Sequence, residues 1–163
     1  MIGVAGGTGR GVQARELVRR AQEWASTRGA EVQLFDASLV IGAEHLLVAA
    51  EKAARAFTEG RNAAATRSLE TLLYASGERQ LTAALEKMGV KDGTEGIAAI
   101  VWDADPHALL QALGLTPDDR VLTASETKLR AFGMTAMELS TIPDARRGDL
   151  ILERVALVDV LKR

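Results

Sequence analysis

The spacing of apolar positions along the chain changes several times, and each change marks an element. MIGVAG is a short apolar run that reads as a first strand. After a run of glycines, Ala14, Leu17, Val18, Ala21, Trp24 and Ala25 recur at three- and four-residue steps, which predicts an amphipathic helix from about Val12 to Arg28, stopped by Gly29. EVQLFDA alternates Val32 and Leu34 against Glu31 and Gln33, the pattern of a half-buried strand. GAEHLLVAAEKAARAFTEG then stacks Leu46, Leu47, Ala50, Ala54 and Phe57 on a second helix that ends at Gly60.

Two short helices follow, TRSLETLLYA and ERQLTAALEKM, separated by Ser76-Gly77 and ended by Gly89. The turn Lys91 to Gly93 leads into GIAAIVWD, a largely apolar strand. In ADPHALLQALG, Asp105 is placed to cap a helix that begins with Pro106 and stops at Gly114. Beyond a turn at TPDD, residues 125–132 and 135–142 suggest short helices and DARRGDLILER another, and the β-branched VALVDVL reads as a closing strand. The strands and helices do not alternate regularly, so the expected class is α+β (mixed α/β), one domain over residues 1–163, with an about four-stranded sheet packed against several helices.

Composition narrows the chemistry. The chain has 163 residues and no cysteine, which removes disulfides, thiolate metal sites and a cysteine nucleophile. A net charge of -2 argues against a general binder of nucleic-acid backbone, so any contact with nucleic acid belongs to a local basic patch. The absence of a leader-like start and of a long apolar run leads to the expectation of a soluble, cytoplasmic protein with no membrane association.

The glycine-rich MIGVAGGTGRG invites comparison with phosphate-binding loops. Gly7, Gly9 and Gly11 lie between a strand and a helix, with Asp36 ending the next strand, but the third glycine comes one residue too early for the dinucleotide fingerprint. Arg10 stands where a P-loop requires lysine followed by a hydroxyl residue. The run reads as a strand turning sharply into a helix, and a nucleotide-binding enzyme using this turn is the competing class. Asp103, Asp105 and His107 are better explained by a strand end and a helix cap than by a metal. His45, near the start of an apolar helix, reads as a hydrogen-bonded packing residue, and no acid, base or nucleophile constellation nominates a catalytic residue, a metal or a cofactor.

The stretch TRSLETLLYASGERQLTAALEKMG is more specific. Leu69, Leu72, Leu73, Leu81, Leu85 and Met88 bury one side of two helices, leaving Arg67, Arg79 and Lys87 for the other. The break at Ser76-Gly77 opens a new helix N-terminus suited to an anion, with Arg79 and Gln80 expected in its first turn.

Here the sequence resembles the small kinase-binding subunit of the KEOPS complex, also called the PRPK-binding protein family. The resemblance runs through LFDASLVIGAEHLLVAAEKAARAFTEG, LETLLYASGERQLTAALEKMGVKDG and ILERVALVDVL, above all in Ala75-Ser76-Gly77-x-x-Gln80 followed by Ala84 and Gly89. It implies a non-catalytic subunit of the machine that adds a threonylcarbamoyl group to an adenosine of tRNAs reading codons that begin with A. Such a subunit binds the kinase-like ATPase of the complex, meets its other subunits indirectly, and captures the 3′ CCA tail of tRNA. On that resemblance the helix break supplies the RNA-contacting residues Arg67, Ser76, Gly77, Arg79 and Gln80; Tyr74 is the nearest stacking residue unless it belongs to the core, and Lys52, Arg55 and Arg61 extend the basic face unless they form a solvated helix surface. The kinase-like partner is expected on the C-terminal helix and strand, at Ile151, Leu152, Val155 and Leu157, unless these fill the domain's own core. A module that binds only the ATPase is a third reading.

Overall fold

The strand GIAAIVW is apolar on both sides because it runs through the centre of the molecule. The computed structural model describes residues 1–161. In it this strand is β3 (Gly96–Trp102), buried from Ile97 onward and flanked by β1 (Ile2–Thr8) and β2 (Glu31–Asp36). Both pairings are antiparallel, with Ile2 opposite Trp102 on one side and Val32 opposite Val101 on the other. A two-residue strand β4 (Thr116–Pro117) completes the order β2-β3-β1-β4 by pairing with Gly7 and Thr8.

Successive side chains of β3 point to opposite faces, and each face is covered by helices. Ile97, Ala99 and Val101 enter a core with Leu17, Ala21 and Ala25 of α1 (Ala14–Ser26) and Leu109 and Leu110 of α5 (Pro106–Ala112). Ala98, Ile100 and Trp102 enter a larger core supplied by α2 (Ala43–Thr58), α3 (Arg67–Ser76), α4 (Leu81–Met88), α6 (Glu126–Phe132), α7 (Ala136–Ser140) and α8 (Arg147–Leu161). The result is a mixed α+β domain, a sheet with helices on both faces.

The predicted cap of α5 is present: the Asp105 carboxylate accepts the His107 N–H at 3.0 Å and Pro106 opens the helix. Two expectations are overturned. VALVDVL is the second half of α8, because Ile151, Val155 and Val158 fall at helical spacing and all three are buried in the larger core. The fourth strand is instead Thr116–Pro117, inside the segment read as a turn.

Gly3, Gly6, Gly7 and Gly9 of the opening run serve packing, while Gly11 takes the left-handed turn at φ 61°. A Cβ on Gly6 would stand 2.5 Å from Val121 Cγ2 and 3.1 Å from the Asp118 carbonyl oxygen. Its absence lets the 3-10 turn Asp119–Leu122 lie against β1, where the Gly6 N–H donates to Asp119 Oδ1 at 2.9 Å and its carbonyl accepts from Asp118 at 2.8 Å.

Candidate nucleic-acid and partner interface

The break between α3 and α4 is built from local bonds. Thr66 Oγ1 accepts the Leu69 N–H at 3.2 Å and starts α3, whose body is almost entirely buried. Gly77 ends it in the left-handed region at φ 74°, a conformation that favours glycine. Ser76 is buried: its Oγ donates to the Leu73 carbonyl at 3.0 Å and accepts the Glu78 N–H at 3.2 Å, so its hydroxyl shapes the turn. Arg79 and Gln80 precede α4 rather than lying in its first turn; Gln80 is the N-cap residue with no side-chain cap bond. Arg79 is exposed and has no hydrogen bond or ion pair among the described residues. Because the first backbone bond of α4 runs from Ala84 to Gln80, the N–H groups of Leu81, Thr82 and Ala83 lie ahead of the helical ladder.

Distant parts of the chain complete this surface. Lys87 Nζ stands 3.9 Å from the centre of the Phe132 ring and 3.9 Å from Glu78 Oε1. Burial holds the Lys87 pKa below its ordinary value, against the charge of Glu78. Arg154 packs its Cβ beneath Gly77, 3.6 Å from where a Cβ would stand, and its guanidinium lies 3.5 Å from Glu138. Three cations (Arg79, Lys87 and Arg154) thus surround the break with two carboxylates.

Beneath the surface, His45 braces the same break. Its Nδ1 accepts the Ile41 N–H at 3.1 Å, which leaves Nε2 to donate to the Ala75 carbonyl at 2.8 Å. Its ring meets Phe132 edge-on at 5.7 Å. Burial pulls the His45 pKa down to about 4, so the ring is neutral at pH 7. The bracing is legible in the sequence only as a histidine on an apolar helix.

Arg67 is not part of this cluster. It stands at the other end of α3, about 13–14 Å along the helix from Ser76 at ~1.5 Å per residue. There its Nε donates to Glu31 at 2.9 Å, its Nη2 reaches Asp103 at 3.4 Å, and its guanidinium carbon lies 5.3 Å from the centre of the Trp102 ring. Tyr74 is buried in the core, its hydroxyl donating to the Asp159 carboxylate, so its ring is not offered for stacking. Lys52 and Arg61 pair with the same Asp159 at 3.7 and 3.0 Å, and Arg55 pairs with Glu51 at 3.3 Å.

The residues expected to meet a kinase-like partner divide by face. Ile151 and Val155 are fully buried in the domain's own core, and Leu152 is half-buried. Leu157 is 51% exposed and joins Val160 and Leu161 in an outward apolar stripe at the end of α8. Among the described residues no helix is long and apolar enough to cross a membrane, and no group of three or more His, Cys, Asp or Glu is placed to hold a metal.

The chain is thus a sheet with helices on both faces, a break between two helices with three cations around it, and an apolar stripe on the last helix. The chain matches the family described as kinase binding protein CGI-121 over residues 12–138, and it belongs to that family. The match begins just before α1 and ends within α7, so α8 lies outside it. No curated protein matches the chain.

Proposed function

We propose that this chain is the non-catalytic, kinase-binding small subunit of a cytoplasmic KEOPS complex, serving threonylcarbamoyl-adenosine modification of tRNA. In this reading it holds the kinase-like ATPase subunit through the exposed stripe at the end of α8, and the 3′ CCA tail of tRNA through the break between α3 and α4. It works without a cofactor of its own. The observation that carries the reading is membership of the kinase-binding family over most of the chain. The exposed, unpartnered Arg79 and the backbone N–H groups at the start of α4 support the RNA half.

Binding of one tRNA in two forms tests it. Intact tRNA is expected to bind tightly and tRNA trimmed of its CCA end much more weakly; equal affinities sink the RNA half. Arg79→Glu is expected to weaken intact tRNA and to lower the salt slope by about 1. Co-purification with the ATPase subunit tests the other half, and co-purification without any tRNA affinity would leave a pure protein-interaction module.

A further inference from the structure

A second basic region lies on the opposite face of the sheet from the α3–α4 break. Residues 10–28 carry five arginines against two glutamates, a local charge of +3 in a chain whose total is -2. All five arginines are exposed. Among the described residues only Arg19 meets carboxylates, bonding Glu16 and Glu23 at 2.5 Å each. Arg20 bonds the Ala112 carbonyl at 2.7 Å, and Arg28 lies over the Trp24 ring at 4.4 Å. Arg10 and Arg15 have no partner among the described residues.

Arg10 and Arg20 line the same cleft, a hollow of about 240 Å³ between the β1–α1 turn and the turn at Leu113–Leu115. Glu16, already claimed by Arg19, is the acidic group in its lining, and Glu95 borders the adjoining hollow beside Arg10. The cleft has no lysine and hydroxyl for a nucleoside triphosphate, and its glycines are spent on packing and on the turn. Two guanidiniums with donors to spare, open to solvent at the edge of a helix whose segment carries a local positive excess, suit a phosphodiester backbone passing over the surface.

We infer that this cleft takes a phosphate group, supplied by the backbone of a bound RNA. The inference rests on the RNA-binding reading above but uses a separate surface. An RNA held by its 3′ end at the α3–α4 break would be held a second time by its body, leaving α8 free for a protein partner.

The test uses the full chain, intact tRNA and CCA-trimmed tRNA, titrated between about 50 and 200 mM salt. Arg10→Glu/Arg20→Glu is expected to weaken both forms by the same factor, about tenfold or more at the low-salt end, and to lower the salt slope by about 2. Arg10→Glu alone removes no contact within the protein and is expected to give about half the slope change. Unchanged affinity and slope in both variants overturn the inference, as does absence of RNA binding by the wild-type chain. If the variants matter but trimming does not, the cleft stands and the tail site falls; the reverse result saves the tail site alone. ATP and inorganic phosphate separate the sources: micromolar shifts of the Gly9–Gln13 amide signals by either one would assign the cleft to a free phosphate ligand and overturn the RNA source.

Discussion

The Tyr74 hydroxyl donates to the Asp159 carboxylate and joins the last turn of α3 to the end of α8 across 85 residues of sequence. Arg61 and Lys52 reach the same carboxylate, so one acid gathers α2, α3, α8 and the turn after α2. Burial pushes the Asp159 pKa up, but the hydrogen bonds from Tyr74 and Arg61 and the charges of Arg61 and Lys52 outweigh it and leave it below the ordinary carboxylate value. A depressed pKa contributes stability that is present above about pH 4, the unfolded value, and is lost as pH falls through the folded one. Asp159→Asn is therefore expected to destabilise the domain by about 1–3 kcal/mol at pH 7 and by less at pH 3. Tyr74→Phe should cost about 1 kcal/mol with the same trend. Urea melts of the three proteins across that range check both.

His45 gives a second, separable pH dependence. Its pKa falls from an ordinary value of about 6.5 to about 4, so the unfolded chain binds a proton there before the folded one does. Stability is complete above about pH 6.5 and declines by up to about 1.4 kcal/mol per pH unit as pH falls toward 4. Lys87 and Lys128, the charged groups acting on the ring, both oppose its protonation. His45→Gln keeps a donor for the Ala75 carbonyl but does not titrate, and it is expected to flatten the stability curve between pH 6.5 and 4. A slope in the variant equal to that of the wild type would assign the titration to another group.

At Gly6 the expected effect is steric. Gly6→Ala brings a methyl group to 2.5 Å from Val121 Cγ2, a contact that must be relieved by moving the 3-10 turn, at a cost of about 1–3 kcal/mol. Val121→Ala removes the nearer obstacle but leaves the Asp118 carbonyl at 3.1 Å. Thermal melts arranged as a double-mutant cycle should show a favourable coupling of about 1 kcal/mol and incomplete rescue. Strict additivity would mean that the glycine is not there for packing.

How much of this was legible depends on how far apart the contributing residues lie. The first three long helices and the three main strands follow from spacing and from stop and cap signals within each segment, as at Asp105-Pro106 and Gly77. The end of α8 misleads because Val155, Val158 and Val160 carry a local preference for strand, and the decision is made by packing against α2 and α3. β4 is two residues long, too short for any period to register. In the site, Gly77 and Arg79 could be grouped because they are neighbours. Arg67 is separated from them by the length of α3, a distance that sequence neighbourhood does not show, while Phe132 and Arg154 come from segments with no pattern pointing back to the break.

The two faces of α8 predict opposite outcomes for similar substitutions. Ile151 is fully buried among α8's neighbours, so Ile151→Ala leaves a cavity and should cost about 2–5 kcal/mol. Leu157 is 51% exposed, and Leu157→Glu removes surface apolar area without opening the core. The second variant should melt within a few degrees of the wild type, corresponding to less than about 0.5 kcal/mol. If the stripe of Leu157, Val160 and Leu161 is where the kinase-like ATPase sits, Leu157→Glu should nonetheless weaken that complex at least about tenfold, because a charge is then buried in an apolar contact. Ile151→Ala should weaken it only as far as it unfolds the subunit. Calorimetric titration at a temperature where both variants are folded separates the two effects: full affinity in Leu157→Glu would move the partner away from the end of α8.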